Sequence, residues 1–130
     1  MGFLSSLFGK KGGFSRTVVS LETERAIKAE WQKIEILLQG KQPSQLRQAL
    51  ISADKTLDNA LRDLVSGDTM GERLKNAKDK FEYKDYDKIW KAHKMRNTLV
   101  HESGYEPQHF MVTGAIEDLR KGLKVLGINV

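Results

Sequence analysis

Between Leu46 and Leu64 a set of apolar side chains, Leu46, Leu50, Ala53, Leu57, Ala60, Leu61 and Leu64, recurs every three to four residues. That spacing lines one stripe of an α-helix and would scatter over both faces of a strand, so the segment reads as an amphipathic helix. The same period returns in Ile27, Trp31, Ile34 and Leu38. It returns again in Tyr86, Ile89, Trp90, His93, Asn97 and Val100, and in Val112, Ile116, Leu119, Leu123 and Leu126. No alternating run competes with it. Only two prolines occur in 130 residues, which leaves long stretches free of helix breakers.

Punctuation between the stripes sets the boundaries. Ser20 is the expected N-cap of a first helix running to about Gln39, with Gly40 ending it and "KQPS" as the turn. Ser44 is the expected cap of the second helix, which "SGD" closes. Thr69 opens a short third helix, "TMGERLKNAKDKF". "EYKDYD" reads as a turn into a fourth helix from roughly Tyr86 to His101, "ESGYEP" breaks the chain, and a fifth helix follows Pro107. The expected fold is all-α: an antiparallel bundle of four main helices plus one short helix, spanning residues 17–130. Short connections make sequential helices antiparallel neighbours. Trp31 and Trp90, on apolar stripes, are expected in the core.

Residues 1–16 read as a separate element. "GFLSSLF" is apolar with small polar gaps, and "GKKGGFSR" is a flexible basic linker. Phe3, Leu4, Leu7 and Phe8 share one side of a short helix with Lys10 and Lys11 behind them, a pattern that can lie in an anionic membrane interface. "MGFLSS" also fits a myristoylation pattern, and a disordered terminus is the plainer alternative. The charges follow the apolar part and no small-residue cleavage site appears, so the segment is not read as a secretory signal. No run is long enough to cross a bilayer. The absence of cysteine excludes disulfides, thiolate metal sites and cysteine nucleophiles, and suits a reducing cytosol.

The net charge of +5 is unevenly placed. Residues 73–96 hold nine basic side chains against four acidic ones: Arg73, Lys75, Lys78, Lys80, Lys84, Lys88, Lys91, Lys94 and Arg96 against Asp79, Glu82, Asp85 and Asp87. A local basic region attracts polyanions by Coulomb attraction and counterion release, and lysines also serve to solvate helix faces.

That basic region leads into "WKAHKMRNTLVHESGY", Trp90 to Tyr105, which holds two of the three histidines. Arg96 and His101 are five residues apart, about 140° of helical rotation. Their side chains converge if the helix frays near His101, which "ESGY" favours, or if both face a groove shared with a second chain. A structural alternative stands beside this one. Arg96 can pair with Asp54 or Asp58, which "ADKTLD" sets on one face. His93 and Asn97, at i and i+4, can join Tyr86 or those acids in a buried polar network. His93 is assigned to such a network with Asp54 and Asp58, and His109 to the surface.

"RNTLVH" resembles the R-x4-6-H signature of HEPN domains, including a polar residue directly after the arginine, here Asn97. "ALISADKTLDNAL", "TMGERLKNA" and "YDKIWKAHKMRNTLVHE" extend the resemblance to short bacterial HEPN-like proteins, over about residues 20 to 126. In that group an N-terminal hydrophobic anchor often precedes the bundle. The resemblance implies a small all-α bundle, commonly dimeric. It also implies a metal-independent endoribonuclease of toxin–antitoxin or other defence systems, though inactive relatives exist. Arg96, His101 and Asn97 would be catalytic, in a composite site formed where two motifs face each other across a homodimer. RNA supplies its own 2′-hydroxyl as nucleophile, so no cofactor is expected. His101 suits proton transfer, and Arg96 stays cationic and can grip phosphate oxygens. Lys84, Lys88, Lys91 and Lys94 are the expected RNA-binding side chains. Further expected partners are an antitoxin protein and, through residues 1–16, an anionic membrane surface. The expected location is cytoplasmic, with peripheral association at the inner face of the membrane.

Other chemistries fit less well. "GKKGGFS" lacks the strand that a phosphate loop follows, no HExxH occurs, and His93 and His101 lack the carboxylate spacing of a di-iron bundle.

Overall fold

The computed structural model describes residues 16–130. Five α-helices follow one another: α1 Leu21–Gly40, α2 Pro43–Leu64, α3 Met70–Asn76, α4 Tyr83–His101 and α5 His109–Val125, with a 3₁₀ turn at Lys78–Lys80 between α3 and α4. No strand occurs among the described residues. The all-α bundle of four long helices and one short one is therefore present. The expectations for the N-terminal segment concern residues that, apart from Arg16, lie outside the described ones.

The local signals that start these helices are visible in their bonds. The Ser20 hydroxyl accepts from the Thr23 amide at 3.1 Å and opens α1. Thr69 does the same for α3, accepting from the Glu72 amide at 3.1 Å. Ser44 does not cap α2. Gln42 holds that position, Pro43 is the first helical residue, and the Gln45 side chain accepts from the Gln42 amide at 3.2 Å. Proline belongs at this first position because its missing N–H would have no helical partner there. Gly40 is the last residue of α1, but the left-handed turn after it falls on Lys41, with φ of 60°.

Helix α2 is the centre of the bundle. Leu50, Ala53, Leu57, Ala60 and Leu61 are fully buried on it, between α1 on one side and α5 on the other. Burying one such leucine stabilises the fold by about 2 kcal/mol. Helix α1 contributes Ile27, Trp31 and Ile34. The Trp31 Nε1–H donates to Thr56 Oγ1 at 3.0 Å, and Thr56 donates to the Ala53 carbonyl at 2.7 Å, so the indole is buried with its polar end satisfied. Arg120 lies over the same ring, 4.6 Å from its centroid, and also bonds Glu35 and Glu117. The chain entering α1 is tied to the far end of α2: the Arg16 amide donates to the Asp63 carbonyl and the Ser20 amide to its carboxylate.

Helix α4 starts at Tyr83, three residues before the expected start at Tyr86. Asp85 sits in its first turn, where a negative charge favours the helix N-terminus. The buried stripe of α4 is Asp85, Ile89, Ala92, His93 and Leu99. The helix is thus rotated from the expected stripe by roughly 80°, a little under one residue's step. Val100 is consequently 47 % exposed and Leu99 takes its place. Trp90 is half-buried at the edge of the core rather than inside it. Helix α4 packs chiefly on α5, where Gly122 lets Ile89 come close, and touches α2 only lightly. That light contact leaves a groove between α2, α4 and the start of α3.

Candidate functional site

The groove has a volume of about 800 Å³. Asp54, Asp58 and Lys55 line it from α2, Gly71 from α3, and Trp90, His93, Lys94, Arg96 and Asn97 from α4. Its floor is a closed ring of polar contacts. The Arg96 Nη1–H donates to Asn97 Oδ1 at 2.9 Å. Asn97 Nδ2 then faces His93 Nε2 at 3.5 Å, and His93 Nδ1 reaches both Asp54 oxygens, at 3.1 and 3.2 Å. Arg96 Nε lies 3.7 Å from Asp54 Oδ2 and completes the ring. With the His93 hydrogen placed on Nδ1, donors and acceptors match along three of the four contacts: arginine donates to the amide oxygen, the amide nitrogen to the imidazole, and the imidazole to the carboxylate.

The ring is electrostatically tight. Burial raises the Asp54 carboxyl above its ordinary value, and the opposing pull of His93 and Arg96 does not cancel that rise. Arg96 Nε is buried without a hydrogen-bond partner, since 3.7 Å is an ion-pair distance and too long for a bond. The Arg96 side chain is nevertheless 32 % exposed, so the guanidinium is both anchored and accessible from the groove.

The residues expected from the sequence are sorted by this geometry. Asp54, His93, Arg96 and Asn97 come together. Asp58 does not join them: it takes a bidentate pair with Arg73, at 2.7 and 3.0 Å, and Arg62 approaches it at 3.4 Å. Arg73 also donates to the Gly67 carbonyl, at a turn whose φ of 144° suits glycine, and so fastens α3 to α2. His101 is exposed at the last residue of α4 and takes no part in the ring. The helix runs through it without fraying, so the two ends of "RNTLVH" point apart within one chain.

The four lysines also divide. Lys94 lies over the Trp90 ring at 5.8 Å and lines the groove. Lys84, Lys88 and Lys91 sit about 80–140° round the helix from Tyr83, away from the groove. Lys91 is paired with Asp87 at 2.9 Å, which raises its pKa. Two groove cations, Lys55 and Arg62, were not singled out from the sequence; the stripe of α2 located its apolar side and left its polar side unassigned. No group of three or more His, Asp or Glu residues is arranged to hold a metal among the described residues, and no described helix is long and apolar enough to cross a membrane.

The chain matches no protein-family model, and comparisons with curated proteins and with solved structures likewise found no match.

Proposed function

We propose that this protein is a HEPN-like, metal-independent endoribonuclease of the toxin or defence type, working as a twofold dimer. The observation that carries the reading is the condition of Arg96. Asp54 and Asn97 fix its guanidinium at the floor of a groove that Lys55, Arg62 and Lys94 make basic, yet a third of the side chain stays open. A preoriented, accessible arginine is suited to gripping the non-bridging oxygens of a phosphodiester as charge builds on them.

His101 faces away from that arginine in its own chain, so a site containing both takes Arg96 from one copy and His101 from another. The 2′-hydroxyl of RNA attacks the adjacent phosphorus. The P–O2′ bond forms, the P–O5′ bond breaks, and the 2′-hydroxyl proton leaves as the 5′-oxygen acquires one. His101 serves the proton transfer. The products carry a 2′,3′-cyclic phosphate and a free 5′-hydroxyl.

The test is RNA cleavage by the purified full chain in EDTA, with the ends of the products identified. Cleavage that yields cyclic phosphate ends and is lost in folded His101→Ala supports the reading. A folded dimer that cuts no RNA, with or without added metal, overturns it. A second reading rests on the closed ring itself. The ring accounts for Arg96, Asn97 and His93 as a device that fixes the register of α2 on α4. The chain is then a non-catalytic HEPN-like module that binds RNA or a protein such as an antitoxin, held at an anionic membrane by residues 1–16.

A further inference from the structure

Helix α4 carries Tyr83, Tyr86 and Trp90 at i, i+3 and i+7, followed by Lys94 and Asn97 at i+11 and i+14. On a 100° helix these five lie within about 60° of one line. The line begins in a surface depression of about 510 Å³ bounded by Lys75, Tyr83, Tyr86, Asp87, Trp90 and Lys94. It ends in the groove that holds Arg96, and the two hollows share Trp90 and Lys94. Tyr83 is 78 % exposed, far more than an aromatic ring needs for packing. Tyr86 meets Trp90 edge-on at 6.3 Å and His93 meets it at 5.9 Å, so the indole is braced in position. Lys75 and Lys94 pair with no carboxylate among the described residues, whereas Arg96, Arg73 and Lys91 engage Asp54, Asp58 and Asp87 respectively.

We infer that this strip is a track for an unpaired nucleic-acid strand, which enters over Tyr83 and is led along α4 to Arg96. The inference rests on the proposed RNA chemistry and adds its substrate class: single-stranded rather than duplex. Exposed aromatic faces accept any base by stacking, and free cations spaced along them hold the backbone. A duplex hides its base faces and cannot use Tyr83. Lys94, exposed and lying loosely over Trp90, swings to a phosphate when a base takes its place. Lys84, Lys88 and Lys91 point elsewhere and stay outside the track.

The experiment measures binding of a fluorescent oligodeoxythymidine of about 12 nucleotides to the full chain, at several salt concentrations. This strand lacks the 2′-hydroxyl and cannot be cut, so binding is read apart from cleavage. A duplex of the same length is the comparator. Tyr83→Ala is expected to weaken binding of the single strand by at least about fivefold, and Trp90→Ala by as much or more. Lys75→Ala is expected to flatten the salt dependence by about one phosphate contact, and Lys88→Ala to leave it unchanged. Wild-type affinity in Tyr83→Ala, or a duplex bound as well as the single strand, overturns the track. Binding that depends on Tyr83 in a protein that cuts no RNA upholds the track and rejects the nuclease. Cleavage by a protein whose binding ignores Tyr83 does the reverse.

Discussion

The Asp54 carboxylate lies against His93 Nδ1 at 3.1 Å, and both residues are buried between α2 and α4. An acid in such a place survives because His93 bonds it and Arg96 stands at ion-pair distance, 3.7 Å. His93→Ala takes that bond away and leaves the carboxylate only the longer ion pair with Arg96. The expected loss is about 3 kcal/mol of stability in a urea melt. Replacing both residues with leucine removes the buried charge as well, and is expected to cost clearly less than His93→Ala alone.

Two aspartates are expected to give opposite pH slopes. Burial raises Asp54 above its ordinary value of 3.8. Its favourable contribution is therefore complete below 3.8 and declines as pH rises through the raised value. Asp63 is also pushed up by burial, but bonds from the Ser20 amide and from the Ser20 and Thr23 hydroxyls, with the charge of Arg16, hold it below 3.8. Its contribution is present above 3.8 and disappears as pH falls through the lowered value. Melts of Asp54→Asn and Asp63→Asn against wild type, run across the acid range, separate the two. The Asp63→Asn deficit shrinks on acidification. The wild type loses ground to Asp54→Asn as pH rises.

The α4–α5 contact depends on a missing side chain. A Cβ on Gly122 would stand 2.9 Å from Ile89 Cδ1. Gly122→Ala is expected to destabilise by about 1–3 kcal/mol through overpacking. Ile89→Val removes that same Cδ1, so the double variant is expected to recover part of the loss. A thermal melt of the three variants checks this.

Much of this fold is written in the periodicity. The stripe of α2 runs on one face for the full helix and meets partners on both sides, so its buried face could be read directly. Helix α4 was harder. Its polar residues share the line of Tyr86 and Trp90, and period alone does not say which edge of a mixed stripe turns inward; contact with α5 at Gly122 decides it. Asp54 with His93 was legible because both fall on facing stripes. The bidentate claim of Arg73 on Asp58 was not, since it depends on the turn at Gly67 that brings α3 back over α2. The divergence of Arg96 and His101 hung on whether the last turn of α4 frays. That turn is intact, with the Glu102 amide bonded to the Thr98 carbonyl at 2.9 Å.

That intact turn leads to the most direct measurement: mixing two inactive variants. On the proposed composite site, Arg96→Ala and His101→Ala are each expected to disable every site in their own dimers, with losses of about 10²–10⁴-fold for removal of an acid–base group or a charge-stabilising one. After the two proteins exchange subunits, about half the dimers hold one of each, and each of these has one site with both side chains intact. RNA cleavage in EDTA is then expected to return to about a quarter of the wild-type rate. A mixture as inactive as its components, beside an active wild type, would contradict a site built from Arg96 of one copy and His101 of another.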